Sequence, residues 1–129
     1  MNMQTFTSME GRIGRMTWWL SQLVMSLVMI IPYGLIIGIL YATTDFTVPE
    51  PKPSGLGIAM ASIIGVILFV VIIWSSIVIN AKRWHDHGKS GWMQLLAMIP
   101  FVNIWVFIKC GFLRGTEGPN QYGNDPVGN

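Results

Sequence analysis

The sequence predicts an all-α membrane protein with two transmembrane helices and a third, proline-broken apolar segment. Of its 129 residues, 52% are hydrophobic and only 11% are charged, whereas roughly 25% are charged in an ordinary soluble domain. The mean hydropathy is +0.53. A soluble domain this small has too much surface to cover with so few charges. The composition therefore excludes a soluble domain, a disordered tail, a disulfide scaffold and a nucleic-acid binder, and the length predicts a single domain over residues 1–129.

The first apolar segment, residues 18–40, is long enough to cross a bilayer. Its 23 residues would form a helix of about 34 Å, against about 30 Å for the hydrocarbon core. No charged residue lies between Arg15 and Asp45. A signal peptide would have a shorter apolar region and a cleavage site of small residues, so we predict an uncleaved span. Pro32 and Gly34 predict a kink in it.

A proline-rich loop, residues 45–55, precedes the second apolar segment, residues 56–80. Alternating prolines exclude a helix in the loop and favour extended backbone. Small residues recur at helical spacing in both apolar segments, which allows close helix packing within the chain or between copies. Chance explains the pattern equally well, because glycine is common in membrane helices. The predicted packing positions are Gly34, Gly38, Gly57, Ala61 and Gly65.

The third apolar segment, residues 91–113, is either one kinked span or a re-entrant hairpin of two half-helices. Pro100 ends one helix, and Asn103 can cap the next. Three full spans place five Lys/Arg inside and three outside, whereas a re-entrant segment places seven inside and one outside. Both patterns predict a cytoplasmic N-terminus and a periplasmic proline-rich loop, and the stronger charge bias favours the re-entrant form.

The first polar cluster lies just before the first span. Arg12 and Arg15 are one helical turn apart, and Trp18 and Trp19 follow at the depth of the membrane interface. Arginine pairs well with phosphate oxygens, so the cluster could clamp anionic lipid headgroups. The simpler alternative is an anchor that only fixes topology.

The second polar cluster follows the second span. His85, Asp86 and His87 suggest a metal site, but residues two apart on a helix face different ways and no further ligand lies nearby. We therefore predict no metal and no cofactor. A carboxylate among arginines should be paired, so Asp86 is expected to bind Arg12, Arg15 or Arg83 and to connect the first helix to this cluster.

The tail, residues 114–129, is rich in Gly, Pro, Asn and Asp, which predicts consecutive turns. It either folds back on the His-Asp cluster or is a frayed terminus. Ser90 lacks the glycines of a nucleophile elbow, and no acid lies inside an apolar segment. No catalytic residue is predicted.

Three motifs carry a family resemblance. The first reads Gly11-Arg12-x-x-Arg15-x-x-Trp18. The second reads Arg83-Trp84-His85-Asp86-x-Gly88-x-Ser90-Gly91-Trp92. The third reads Gly115-Thr116-x-Gly118-Pro119-Asn120-x-Tyr122-Gly123-x-Asp125-Pro126. In this order around these apolar segments, they resemble the bacterial inner-membrane family known as domain of unknown function 805, the YhaH/YhaI-type proteins.

The resemblance covers residues 11–126 and implies a bacterial inner-membrane location. It implies no activity, because the family's biochemical function is unknown, and a shared fold would not supply one. Trp84 stands where the family pattern has an aliphatic residue, and Arg114 and Glu117 stand where it has proline.

The sequence thus predicts a small, non-enzymatic, multi-pass inner-membrane protein with a cytoplasmic surface for anionic lipid or a partner protein. Its expected partners are the bilayer, further copies of the chain or another membrane protein, and not nucleic acid. Alternatives are a metal-dependent membrane enzyme using His85, Asp86 and His87, or an oligomeric transporter or channel subunit. The predicted surface residues are Arg12, Arg15, Trp18, Arg83, His85, Asp86 and Trp92.

Overall fold

The computed structural model describes residues 3–126, and for Gln4 it describes the backbone alone. The last three residues of the predicted tail lie outside this range. In chain order the helices and strands are α1 (Gln4–Thr7), α2 (Arg15–Ala42), β1 (Thr44–Asp45), β2 (Lys52–Pro53), α3 (Gly55–Asp86), a 3-10 helix (Gly91–Met98) and α4 (Val102–Gly111).

Helices α2 and α3 are the two long apolar helices that the sequence predicts. They contain 28 and 32 residues, or about 42 and 48 Å at the rise of an α-helix. Both are long and apolar enough to cross a membrane. Helix α3 continues past the predicted apolar segment to Asp86. Arg83 and Asp86 therefore lie on the last turn of a helix.

The chain forms two compact units, one from residues 1–23 with 73–129 and the other from residues 24–72. In the second unit, Pro32 lies inside α2, which runs on without a break. The proline-rich loop is not helical, as predicted. It also contains a short antiparallel ladder of β1 and β2, which pairs Thr44 with Pro53 and Asp45 with Lys52.

The third apolar segment consists of two short helices. The 3-10 helix has 8 residues and α4 has 10, so each is about 15 Å long and too short to cross a hydrocarbon core of about 30 Å alone. They are separated at residues 99–101, where Pro100 predicts a break. Asn103 does not cap α4, contrary to expectation. The N-cap is Phe101, which has a positive φ of 70° and makes no side-chain cap.

The apolar core of the first unit lies where the start of α2, the end of α3 and α4 meet. Trp18, Trp19 and Phe107 pack edge to face, with ring centroids 5.0 to 6.3 Å apart. Its buried apolar residues are Ile13, Trp18, Val78, Ile79, Ala81, Trp84, Val106 and Cys110.

Candidate functional site

Asp86, the last residue of α3, is at the centre of a network of hydrogen bonds and ion pairs in the first unit. Its Oδ1 accepts from Arg12 Nη2 at 2.9 Å, and its Oδ2 binds Arg83 Nη1. The side chains of Arg12, Arg83 and Asp86 are 1%, 0% and 4% exposed. The predicted pairing of Asp86 is thus confirmed for Arg12 and Arg83. Arg15 instead donates to the carbonyl of Phe112 at 2.9 Å.

Arg83 connects α3 to two other parts of the chain. Its Nε donates to the Cys110 carbonyl and its Nη2 to the Leu113 carbonyl, both at 2.6 Å. Its Nη1 also donates to the Ile13 carbonyl at 3.2 Å. A guanidinium has five donors in a fixed planar arrangement, which suits it to bind several carbonyls and a carboxylate at once.

Arg12 holds the tail. Its Nη1 donates to the carbonyls of Gly118 at 2.8 Å and Gly123 at 3.1 Å, and its Nη2 donates to the Thr116 carbonyl at 2.7 Å. The Thr116 amide donates in turn to the Asp86 carbonyl at 2.6 Å. The tail therefore folds back on the His-Asp cluster as far as it is described, which is the first of the two alternatives left open by the sequence.

His85 also contacts both the N-terminal segment and the tail. Its Nδ1 donates to the Gly11 carbonyl at 3.0 Å. Its ring stacks on Tyr122, with centroids 4.0 Å apart and planes within 3° of parallel. The Asn120 amide donates to the His85 carbonyl at 2.9 Å. The side chain thus joins three segments of the chain.

His87 lies just beyond α3 in a different environment. Its Nε2 is buried and has no hydrogen-bond partner among residues 3–126. Burial, with the nearby positive charges of Arg83 and Lys109, lowers the pKa of His87 to about 4. The imidazole is therefore neutral at pH 7.

The described residues bring no three His, Cys, Asp or Glu side chains together in a metal-binding group. His85, Asp86 and His87 take part in three different sets of contacts. The metal-enzyme alternative has no support in this geometry.

Two glycines of the family motifs have clear structural roles. Gly88 has a φ of +72° and ends α3, which lets the Lys89 amide donate to the Trp84 carbonyl at 3.0 Å. A Cβ on Gly115 would overlap the carboxylate and the carbonyl of Asp86. Close approach of the tail to Asp86 therefore requires glycine at position 115.

The remaining predicted surface residues divide by exposure. Arg15 is exposed and Trp92 is 78% exposed. Trp18 is buried, and its indole donates to Asn80 Oδ1 at 3.0 Å. Ser90, which the sequence assigns to no site, caps the 3-10 helix by accepting from the Trp92 amide.

The departures from the family pattern have partners too. Trp84 is fully buried and donates to Gln94 Oε1 at 3.0 Å. Arg114 pairs with Asp125 at 3.2 Å and with Glu117 at 3.6 Å.

The predicted packing positions differ in how closely other atoms approach them. A Cβ on Gly57 would collide with the side chain of Thr43, and Ala61 is buried. A Cβ on Gly34, Gly38 or Gly65 would meet no described atom within 4 Å. A packing role for these last three between copies of the chain stays a prediction.

Two long apolar helices and a buried polar network define this chain as a small multi-pass helical membrane protein. A model of the family described as protein of unknown function (DUF805) matches residues 6–124. The chain belongs to this family.

Relatives in Escherichia coli (strain K12) are similar over nearly the full chain. Inner membrane protein YhaH is 28% identical over 124 residues, which cover 96% of this chain and 91% of YhaH. Inner membrane protein YhaI is 26% identical, with 96% and 90% covered, and uncharacterized protein YiiR is 26% identical, with 95% and 88% covered. No solved structure matches the chain.

Proposed function

We propose that this protein is a non-enzymatic inner-membrane protein whose cytoplasmic face binds the headgroups of anionic phospholipids. One observation carries the proposal. Arg15 and Lys89 are exposed and form no ion pair with the described residues, whereas Arg12 and Arg83 are neutralised inside the fold. Unpaired cations beside an anionic bilayer surface are attracted to it.

In this proposal the predicted surface residues have different tasks. Arg12, Arg83, His85 and Asp86 bind other parts of the chain, so they position the surface. Arg15 is followed by Trp18 and Trp19, and Lys89 by Trp92. Tryptophan favours the headgroup level of a membrane, so the two exposed cations are placed to meet phosphates there.

The proposed topology places the N-terminus, residues 87–90 and the tail on the cytoplasmic side. The hydrogen bonds from Arg12 to Thr116, Gly118 and Gly123 support it, because residues that bind one another through polar groups lie on one side of the bilayer. Residues 91–113 then enter the membrane and return, which agrees with two short helices separated by a break. Seven Lys/Arg would lie inside and one outside.

Single cysteines test this topology. In a Cys110→Ser background, Gln121→Cys reports the tail and Glu50→Cys reports the proline-rich loop. With an impermeant maleimide, we expect Glu50→Cys to react on intact cells and Gln121→Cys to react only after lysis. Reaction of Gln121→Cys on intact cells would refute the cytoplasmic tail.

Lipid preference is measured on protein reconstituted in bilayers, by the quenching of tryptophan fluorescence with brominated phosphatidylglycerol or brominated phosphatidylcholine. The ratio of their association constants should favour phosphatidylglycerol by about fivefold for each cation. Arg15→Gln/Lys89→Gln should lower this ratio by about fivefold for each charge removed. Lys52→Gln, in the proline-rich loop, is the control and should leave it unchanged. Equal quenching by both lipids in the wild type would overturn the lipid proposal and leave the partner protein as the better hypothesis.

A further inference from the structure

A second feature of the first unit lies apart from the Asp86 network. The start of α2, the end of α3, the 3-10 helix and α4 line an open cavity of about 430 Å³. This volume is in the range of small-molecule sites. Four carboxamide residues line it, although the surrounding segments are mainly apolar: Gln22, Asn80, Gln94 and Asn103.

The rest of the lining is aromatic or small. Trp18, Trp19 and Phe107 form one wall of the cavity. No Lys, Arg, Asp or Glu is among the described residues that line it. The lining is therefore uncharged and mostly apolar, with carboxamide side chains among its polar groups.

Part of the hydrogen-bonding capacity of the amides is unused. Asn80 is fully engaged, since its Nδ2 donates to the Ser76 carbonyl at 2.8 Å and its Oδ1 accepts from Trp18. Gln94 uses its Oε1 to accept from Trp84, which leaves the amide nitrogen for another acceptor. Asn103 is exposed and makes no side-chain hydrogen bond to the described residues. Its amide can both donate and accept.

We propose that this cavity binds a neutral, hydroxyl-rich group, either the glycerol headgroup of phosphatidylglycerol or a free polyol. An ion would find no opposite charge, and a hydrocarbon chain could not hydrogen-bond to the side-chain amides of Gln94 and Asn103. Hydroxyl groups both donate and accept, as carboxamides do. The carbon face of a polyol packs against the tryptophan wall.

This inference goes beyond the anionic-lipid surface, because it concerns another site and another property of the ligand. The exposed cations attract any anionic headgroup. The cavity distinguishes among anionic headgroups by their hydroxyls. Phosphatidylglycerol and phosphatidylserine carry the same net charge, so a comparison of the two isolates the cavity.

Protection of a cysteine in the lining measures occupancy. Ala97 lines the cavity and is half-buried. Ala97→Cys in the Cys110→Ser background is the reporter. It reacts with N-ethylmaleimide in bilayers, and mass spectrometry of the intact protein measures the extent of reaction. Met98→Cys is the control, because Met98 is 80% exposed and does not line the cavity.

We expect Ala97→Cys to react severalfold more slowly in phosphatidylglycerol than in phosphatidylserine, while Met98→Cys reacts equally in both. Slower reaction in phosphatidylserine after glycerol is added would identify a free polyol as the ligand. Protection by phosphatidylglycerol alone would identify the lipid headgroup. Either result supports the site.

Variants at Asn103 test whether the side-chain amides cause the protection of Ala97→Cys. Because the Asn103 side chain makes no hydrogen bond to the described residues, Asn103→Leu should fold and lose most of the protection. Asn103→Gln should keep it. Equal reaction of Ala97→Cys in all three conditions would show that the cavity holds water only. That result, or full protection in Asn103→Leu, would overturn the proposal.

Discussion

Asp86 and Asp45 are both acids close to an end of a long apolar helix, yet the two regions use them in opposite ways. Asp86 is 4% exposed and binds two arginines, one of which is 74 residues away in the sequence. Asp45 is exposed, and among the described residues its carboxylate accepts only from Thr47, from the amide at 2.9 Å and the hydroxyl at 2.6 Å. One carboxylate joins distant segments, and the other shapes a single turn.

Charge specifies structure in this protein where it is buried. A buried ion pair is costly to break, because removing one partner leaves an uncompensated charge, at about 3–5 kcal/mol. An exposed polar group is solvated equally well before and after folding and contributes little. The Asp86 network should therefore control folding, and the proline-rich loop should tolerate change.

The largest expected effect is that of Asp86→Ala. It leaves Arg12 and Arg83 buried without their carboxylate and should cost about 3–5 kcal/mol, with loss of folded protein in detergent. Thermal unfolding followed by size exclusion measures it. Asp45→Ala is the matched control and should unfold close to the wild type. Equal effects of the two variants would erase the contrast between the regions.

Gly115→Ala should have the second-largest effect on stability. Its methyl group would overlap the Asp86 carboxylate and carbonyl, and overpacking of this kind costs about 1–3 kcal/mol. Gly55→Ala, where a Cβ meets no described atom within 4 Å, should be neutral. Limited proteolysis should show earlier cleavage of the tail in Gly115→Ala. An uncleaved tail would mean that its docking on Asp86 does not need this close approach.

The pH dependence of stability sharpens the comparison further. The pKa of His87 is lowered from 6.5 to about 4, so between these values the unfolded chain binds a proton that the folded chain does not. Stability should therefore fall as the pH falls from about 6.5 towards 4. His87→Phe should remove this part of the loss. Identical unfolding midpoints at pH 7 and pH 5 in the wild type would contradict the lowered pKa of His87 in the folded protein.

Asp45→Asn should have the smallest effect on stability. The hydroxyl and amide of Thr47 lower the pKa of Asp45. The ionised carboxylate therefore stabilises the fold above its ordinary pKa of 3.8, and this stabilisation is lost as the pH falls below that value. At pH 7 we expect the midpoint to shift by no more than about 2 °C. A larger shift would show that the loop contributes more to stability than its exposure suggests.

Much of the fold follows from the sequence, because hydrophobic length and proline position are local properties. The two long helices, the non-helical loop and the break near Pro100 are examples. The pairing of Asp86 with arginine was also predictable, since a carboxylate near a membrane surface needs a partner. Helix boundaries were less accurate, because α3 continues through a polar turn that the hydropathy pattern does not mark as helix.

The acceptors of Arg12 and Arg83 could not be predicted. They are mostly backbone carbonyls, which every residue has, so no side-chain pattern marks Cys110 or Thr116 as a partner. Tyr122 and Asn120 carry a weak signal, since both belong to the tail motif that resembles the family. Their contacts with His85 depend on the tail lying beside α3, which no local pattern in the sequence predicts.

The position of Arg12 has a consequence for the order in which the protein matures. Ribosomes make chains from the N-terminus, and the carbonyls that Arg12 binds at Thr116, Gly118 and Gly123 are 104 to 111 residues further on. The Arg83–Asp86 pair, three residues apart, can form as soon as that turn is made. Arg12 completes its bonds only after all three apolar segments have been synthesised, so tail docking marks the end of assembly.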